Sequence, residues 1–147
     1  MPARLAIAPG SWGVEPPGDP GFPPRDTVLD EMRDAGYRYI ELGPVGYLPE
    51  DPDELRAALE GRGLELVAGF AMEPFHRPEA RESTLRVVER TCRALRAGGG
   101  TRLLLIESLV PERAATLGDA AAAPRLDAGS WRTLLETIAA AAELARR

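Results

Sequence analysis

Four side chains stand where their type and position could do chemistry. Glu41 and Glu107 each end a short apolar, β-prone run, Trp12 follows an earlier run of that kind, and His76 is the single histidine of the sequence. A carboxylate at a strand end can accept hydrogen bonds from ligand hydroxyls, orient a metal ligand or move a proton; equally, it can cap the next helix or pair with an arginine such as Arg113. His76 has no partner histidines and sits between Pro74 and Pro78, so a ligand-contacting or structural role is expected rather than metal ligation. Trp12 offers a flat apolar face for the C–H side of a ring, or simply a plug for the end of the core. Glu15, Glu73 and Arg113 could join a polar rim, or be solvated loop charges. With one histidine and one cysteine, Cys92, no nucleophile and base pair can be assembled. No GxxxxGK[ST] phosphate loop is present either, and Gly98-Gly99-Gly100 precedes a strand rather than a helix.

The elements that position these residues follow one repeated grammar of helix, glycine turn, strand and terminal acid. Ala35-Gly36 leads into Tyr37-Arg38-Tyr39-Ile40-Glu41, Gly61-Arg62-Gly63 into the strand Leu64 to Phe70, and Gly98-Gly99-Gly100 into the strand Leu103 to Ile106 followed by Glu107. Arg4 to Ala8 reads as a first strand, followed by a long Pro- and Gly-rich loop to Pro24 that is either a binding loop or a rigid tether. Helix one is expected over Asp26 to Ala35, capped by Asp26 or Thr27, with Val28, Leu29, Met32 and Ala35 inward. Helix two starts at Asp51-Pro52-Asp53-Glu54 and stops at Gly61, and a third helix runs from Glu79 to about Ala97. After a loop from Ser108 to Arg125, a last helix covers Leu126 to Arg147, capped by Asp127 or Ser130. Its expected buried stripe is Trp131, Leu134, Leu135, Ile138 and Ala141 or Ala142.

Composition bounds what such a chain can be. A length of 147 residues with 44% hydrophobic content fits one folded soluble domain over residues 1–147. A net charge of -5 with mixed signs lacks the basic stripe of a nucleic-acid binder. The lone Cys92 excludes an internal disulfide and a cysteine metal cluster, and no apolar run reaches membrane-spanning length, so a cytoplasmic setting is expected.

Strand and helix alternate four times with no hairpin signal, which argues for an α/β fold with a parallel sheet and right-handed crossovers. A complete eight-unit βα barrel takes about 250 residues, roughly 30 per unit, so this chain has the arithmetic of a (β/α)4 half. An open doubly wound sheet is the competing architecture. It would normally carry a short glycine-rich first loop, whereas Gly10-Ser11-Trp12-Gly13 opens a proline-laden excursion.

Several blocks in order, RLAIAPGSWGVE, AGYRYIELGPVGYLP, RGLELVAGF and LLLIESLVPER, resemble the N-terminal half of the xylose isomerase-like TIM barrels. These are the sugar phosphate isomerase/epimerase group, which includes inosose dehydratase. The resemblance implies a divalent metal (manganese, cobalt, magnesium or zinc) that polarises a sugar carbonyl or hydroxyl while an acid residue moves a proton. In the isomerase and epimerase branches the metal ligands come from the last four strands, which the resemblance does not reach. It therefore implies Trp12, Glu41, His76 and Glu107 as contacts to a sugar or polyol, with no metal ligand in this chain.

Half a barrel leaves two unpaired strand edges and an inner face without its opposite wall. Three arrangements would cover them: a homodimer closed edge to edge, a complementing C-terminal half that completes the barrel, or a longer enzyme of which this sequence is a fragment. Catalysis by the chain alone is not expected, and a non-catalytic assembly subunit is the alternative role.

Overall fold

The computed structural model describes residues 5–15 and 21–147. Arg4, taken above as the start of the first strand, and the middle of the proline-rich loop lie outside the described residues.

The repeated glycine junctions are built alike at the level of single hydrogen bonds. After α1 (Arg25–Asp34), α2 (Pro52–Glu60) and α3 (Arg81–Gly98), a left-handed glycine turns the chain: Gly36, Gly63 and Gly99. An amide just beyond then bonds back five residues, Tyr37 N to Met32 O, Leu64 N to Leu59 O and Gly100 N to Leu95 O, at 2.8 to 3.1 Å. This closure satisfies orphan helix carbonyls and aims the chain into the next strand.

The strands β1 (Ala6–Ile7), β2 (Tyr39–Glu41), β3 (Glu65–Glu73) and β4 (Arg102–Glu107) pair in sequence order, all parallel. The helices between them make this an α/β fold of four βα units. Val28, Leu29 and Met32 of α1, Leu55 and Leu59 of α2, and Ala94 and Leu95 of α3 bury against Ile40, Leu42 and Leu66. Leu103 joins this cluster, and Leu105 packs on a second one around Phe75, Val88 and Cys92. Because side chains alternate along a strand, Leu104 and Ile106 point to the other face. There they stand in register with Phe70 and Met72. Leu104 is 41% exposed.

Several boundaries move for identifiable reasons. Helix α1 begins at Arg25 with Pro24 before it and no side-chain cap, so neither Asp26 nor Thr27 caps it. Pro24 O instead accepts from Val28 N, and Asp26 in the first turn pairs with Arg62. Ala35, expected inward, is the exposed C-cap residue, because the helix ends at Asp34 ahead of the Gly36 turn. Strand β3 continues three residues past Phe70 to Glu73 because its ladder with β4 continues, ending Glu73 to Glu107. A one-turn helix, α4 (Pro111–Ala114), lies inside the expected loop. The last helix, α5 (Ala128–Arg146), is capped by Asp127, which accepts from Ser130 N at 2.7 Å. Its expected buried stripe is only partly covered: Ala141 and Thr137 are buried, while Trp131, Leu135 and Ile138 are exposed. Among the described residues no helix is long and apolar enough to cross a membrane.

Candidate functional site

The carboxyl ends of β3 and β4 lie side by side, which brings together two residues that are 31 positions apart in sequence. His76 Nδ1 lies 2.9 Å from Glu107 Oε1. Glu107 is the last residue of β4 and ends in register with Glu73, the last of β3. The chain turns immediately after Glu73: Phe75 N donates to Glu73 O at 2.9 Å, and Phe75 is buried in the second core cluster, so His76 is held at the sheet end. Ser108 N donates to the same Glu73 carbonyl at 3.1 Å, which ties the two strand ends together.

An ionised carboxylate only accepts hydrogen bonds, so the ring turns an Nδ1–H toward Glu107 and leaves Nε2 for another partner. The pair lines a cavity of about 950 Å³ together with Ser108, Arg113, Arg125 and Trp131. Arg113 does not pair with Glu107; its Nη1 donates to Pro124 O at 3.1 Å and braces the α4 segment. Next to the pair, burial raises the pKa of the Glu73 carboxyl. The arrangement can offer a ligand hydroxyl one acceptor, one imidazole nitrogen and an aromatic wall.

Glu41 closes β2 at the same end of the sheet but lines a different hollow, of about 920 Å³, with Ala6, Tyr39, Val67, Arg102 and Leu104. Trp12 sits on the 3-10 turn Pro9–Trp12 after β1, packs against the first core cluster and donates from Nε1 to Glu31 on α1. The structure therefore joins His76 with Glu107 and keeps Trp12 and Glu41 apart from them. Trp131 and Arg125 line the His76 cavity although sequence spacing marks Trp131 as core. The signal available was its place in the first turn of α5, next to the Pro124-Arg125 loop.

Among the described residues no three His, Cys, Asp or Glu side chains are placed to hold a metal. With no third such side chain grouped with His76 and Glu107, the described residues do not fit the metal that the resemblance implies. Cys92 is buried on α3, and burial pushes its thiol pKa up, opposite to what a reactive thiolate needs.

A family model for the xylose isomerase-like TIM barrel matches residues 29–147. Inosose dehydratase from Geobacillus kaustophilus (strain HTA426) is 40% identical over 70 residues, 47% of this chain and 22% of that protein. Rhizopine catabolism protein MocC from Rhizobium meliloti is 38% identical over 71 residues, 48% of this chain and 21% of that protein. Among solved structures, a xylose isomerase-like TIM barrel protein from Mycobacterium smegmatis in complex with magnesium superposes with a TM-score of 0.67 at 17% identity, over 97% of this chain and 51% of that one. The 3-keto-D-glucoside 4-epimerase YcjR from E. coli, in its apo form, gives 0.65 at 18% identity, over 88% of this chain and 50% of that one. D-psicose 3-epimerase with D-fructose gives 0.64 at 15%, over 98% of this chain and 49% of that one. The chain thus spans about half the length of these solved barrels, and the matched segment about a fifth of the curated relatives.

Proposed function

The chain belongs to the xylose isomerase-like TIM barrel family, and from that membership we propose that it supplies the sugar- or polyol-contacting half of an isomerase, epimerase or dehydratase barrel. The observation that carries the reading is the His76–Glu107 pair in its cavity at the carboxyl end of the sheet, the end at which βα barrels place their sites. Glu107 accepts a hydrogen bond from one ligand hydroxyl while His76 Nε2 hydrogen-bonds a second, and Trp131 lies along the apolar edge of the ring. Glu41, at the same sheet end, and Trp12, on the turn after β1, are assigned to the substrate side as well.

The names of the relatives support a sugar or cyclic polyol as the ligand class: one is an inosose dehydratase, and another is an epimerase solved with D-fructose. Any divalent metal, and with it turnover, belongs to a completing half in this reading. The test is an NMR titration of the chain with D-fructose and with an inosose. Saturable shifts at His76 and Ser108 are the expected result; shifts absent from a folded chain at tens of millimolar sugar overturn it.

A second reading is favoured by the exposed apolar side chains Trp131, Leu135 and Ile138: a non-catalytic subunit whose role is assembly. In that case the same titration is silent while the chain still associates.

A further inference from the structure

Resting on the sugar-contacting reading above, we propose that the ligand of the His76–Glu107 cavity is an anion: a hydroxylated molecule bearing a carboxylate or phosphate group, which Arg77, Arg113 and Arg125 hold.

Three guanidinium groups line this cavity together with the pair. Arg77 directly follows His76, in the turn that Phe75 anchors in the core and that Arg77 N closes onto Pro74 O at 3.0 Å. Arg113 belongs to α4, and Arg125 follows Pro124. The bond from Arg113 Nη1 to Pro124 O, at 3.1 Å, draws these last two stretches together. Cations from the loop after β3 and from two points between β4 and α5 thus share one cavity with the end of β4.

No carboxylate of the chain neutralises them. Among the described residues the side chains of Arg77 and Arg125 make no hydrogen bond or ion pair, and Arg113 bonds only to the Pro124 carbonyl. Two carboxylates line the same cavity, yet Glu107 is turned to His76 and Glu112 pairs with no arginine. Arginines that join separate elements elsewhere behave differently: Arg38 holds Glu65, Arg62 holds Asp30 and Arg90 holds Glu50. With His76 neutral, the lining carries three positive charges against two negative ones, on a chain of net charge -5. Such a local excess draws an anion toward the cavity. Guanidinium forks match the oxygen pairs of carboxylate and phosphate, and their charge does not titrate in the working range.

The rest of the lining says what the anion must carry. His76 and Glu107 address hydroxyls, and Trp131 and Leu134 supply an apolar wall. The volume of about 950 Å³ holds a hexose and its charged group together. An uncharged sugar such as D-fructose leaves the arginines to water, whereas a bare phosphate leaves the pair and the wall unused. A sugar or polyol anion engages all three parts.

Calorimetric titration of the chain compares D-fructose, D-fructose 6-phosphate, D-glucuronate and inorganic phosphate. Expected is binding of at least one sugar anion about tenfold or more tighter than D-fructose and inorganic phosphate, weakening as salt rises. Which sugar anion binds better tells whether phosphate or carboxylate is the group held. Arg77→Gln with Arg125→Gln, both exposed and without side-chain partners, should abolish the advantage at an unchanged urea midpoint. Arg96→Gln, an exposed position in the last turn of α3, removes the same kind of charge away from the cavity and should leave it intact. D-fructose binding as tightly as both sugar anions overturns the proposal and leaves the sugar reading standing. An advantage that survives the double variant, or no anion binding at all, also overturns it. Inorganic phosphate binding as tightly as D-fructose 6-phosphate, with D-fructose silent, overturns the sugar reading and leaves the arginines as an anion site.

Discussion

His76 Nδ1 and Glu107 Oε1 meet at 2.9 Å across the gap between the loop after β3 and the end of β4. The pair is partly open to solvent, His76 at 14% and Glu107 at 34% side-chain exposure, so its worth to stability is no more than about 1 kcal/mol. Its geometry matters more to a ligand, because Glu107 engages Nδ1 and leaves Nε2 for a ligand to meet. Glu107→Gln should therefore shift the urea midpoint little and weaken D-fructose or inosose binding at least about tenfold, the loss expected for a charge-assisted hydrogen bond. Equal losses of stability and affinity would assign the pair to structure alone.

Glu73 should make the chain less stable as pH rises. Burial holds its folded pKa above the ordinary 4.5, so the folded chain binds this proton more tightly than the unfolded one. The stability it contributes is full below 4.5 and declines as pH climbs through the raised folded value. Glu73→Gln removes the ionisation. It should raise the urea midpoint at pH 7 and leave it unchanged near pH 4; an unchanged midpoint at pH 7 would contradict the burial argument.

Asp127 has the opposite sign. The amide of Ser130 and its neighbours hold its carboxyl below the ordinary 3.8, so the stability from this cap is present above 3.8 and lost as pH falls through the folded value. Asp127→Asn keeps an acceptor without the charge. It should remain capped and lose less stability on acidification from pH 5 to pH 2 than the parent, as read by thermal melts at each pH.

What the sequence makes legible is whatever is encoded locally. The three glycine junctions, the inward faces of α1 and α2, and the apolar run of β4 follow from spacing and turn chemistry within a few residues. The pairing of His76 with Glu107 depends on parallel register across 31 positions, which no local pattern carries. Trp131, Leu135 and Ile138 fail for a different reason. Periodicity identifies an apolar arc, and the arc is there; which part of it this chain itself covers depends on where α3 lies. Asp26 and Thr27 suit an N-cap by residue type, but Pro24 with its fixed φ takes the cap position and the helix starts one residue earlier, at Arg25.

Thr84 on α3 is fully buried, and its Oγ1 has no hydrogen-bond partner among the described residues. A buried hydroxyl without a partner costs about 1 to 3 kcal/mol relative to its hydrated state. Valine has nearly the same shape without the polar atom, so Thr84→Val should stabilise the chain by about 1 kcal/mol, seen as a higher urea midpoint at unchanged slope. Thr91 serves as a control on the same helix. Its Oγ1 donates to Val87 O at 2.9 Å, and Thr91→Val should gain less.

Gly43 links the end of β2 to the turn after β1, and it is the position where the smallest substitution should cost most. Its φ is +72°, and a Cβ there would lie 2.9 Å from Pro9 Cγ and 3.3 Å from Pro9 Cβ. Pro9 is itself buried and begins the 3-10 turn that carries Trp12. The proline ring cannot swing aside as a flexible side chain would, so an alanine must either displace that turn or distort the strand end. Gly43→Ala should destabilise by about 1 to 3 kcal/mol, from a left-handed conformation closed to alanine and from overpacking. Gly10, which has open space around it and an ordinary φ, should accept alanine with little change, so urea melts of the two variants separate crowding at Gly43 from a general intolerance of the loop.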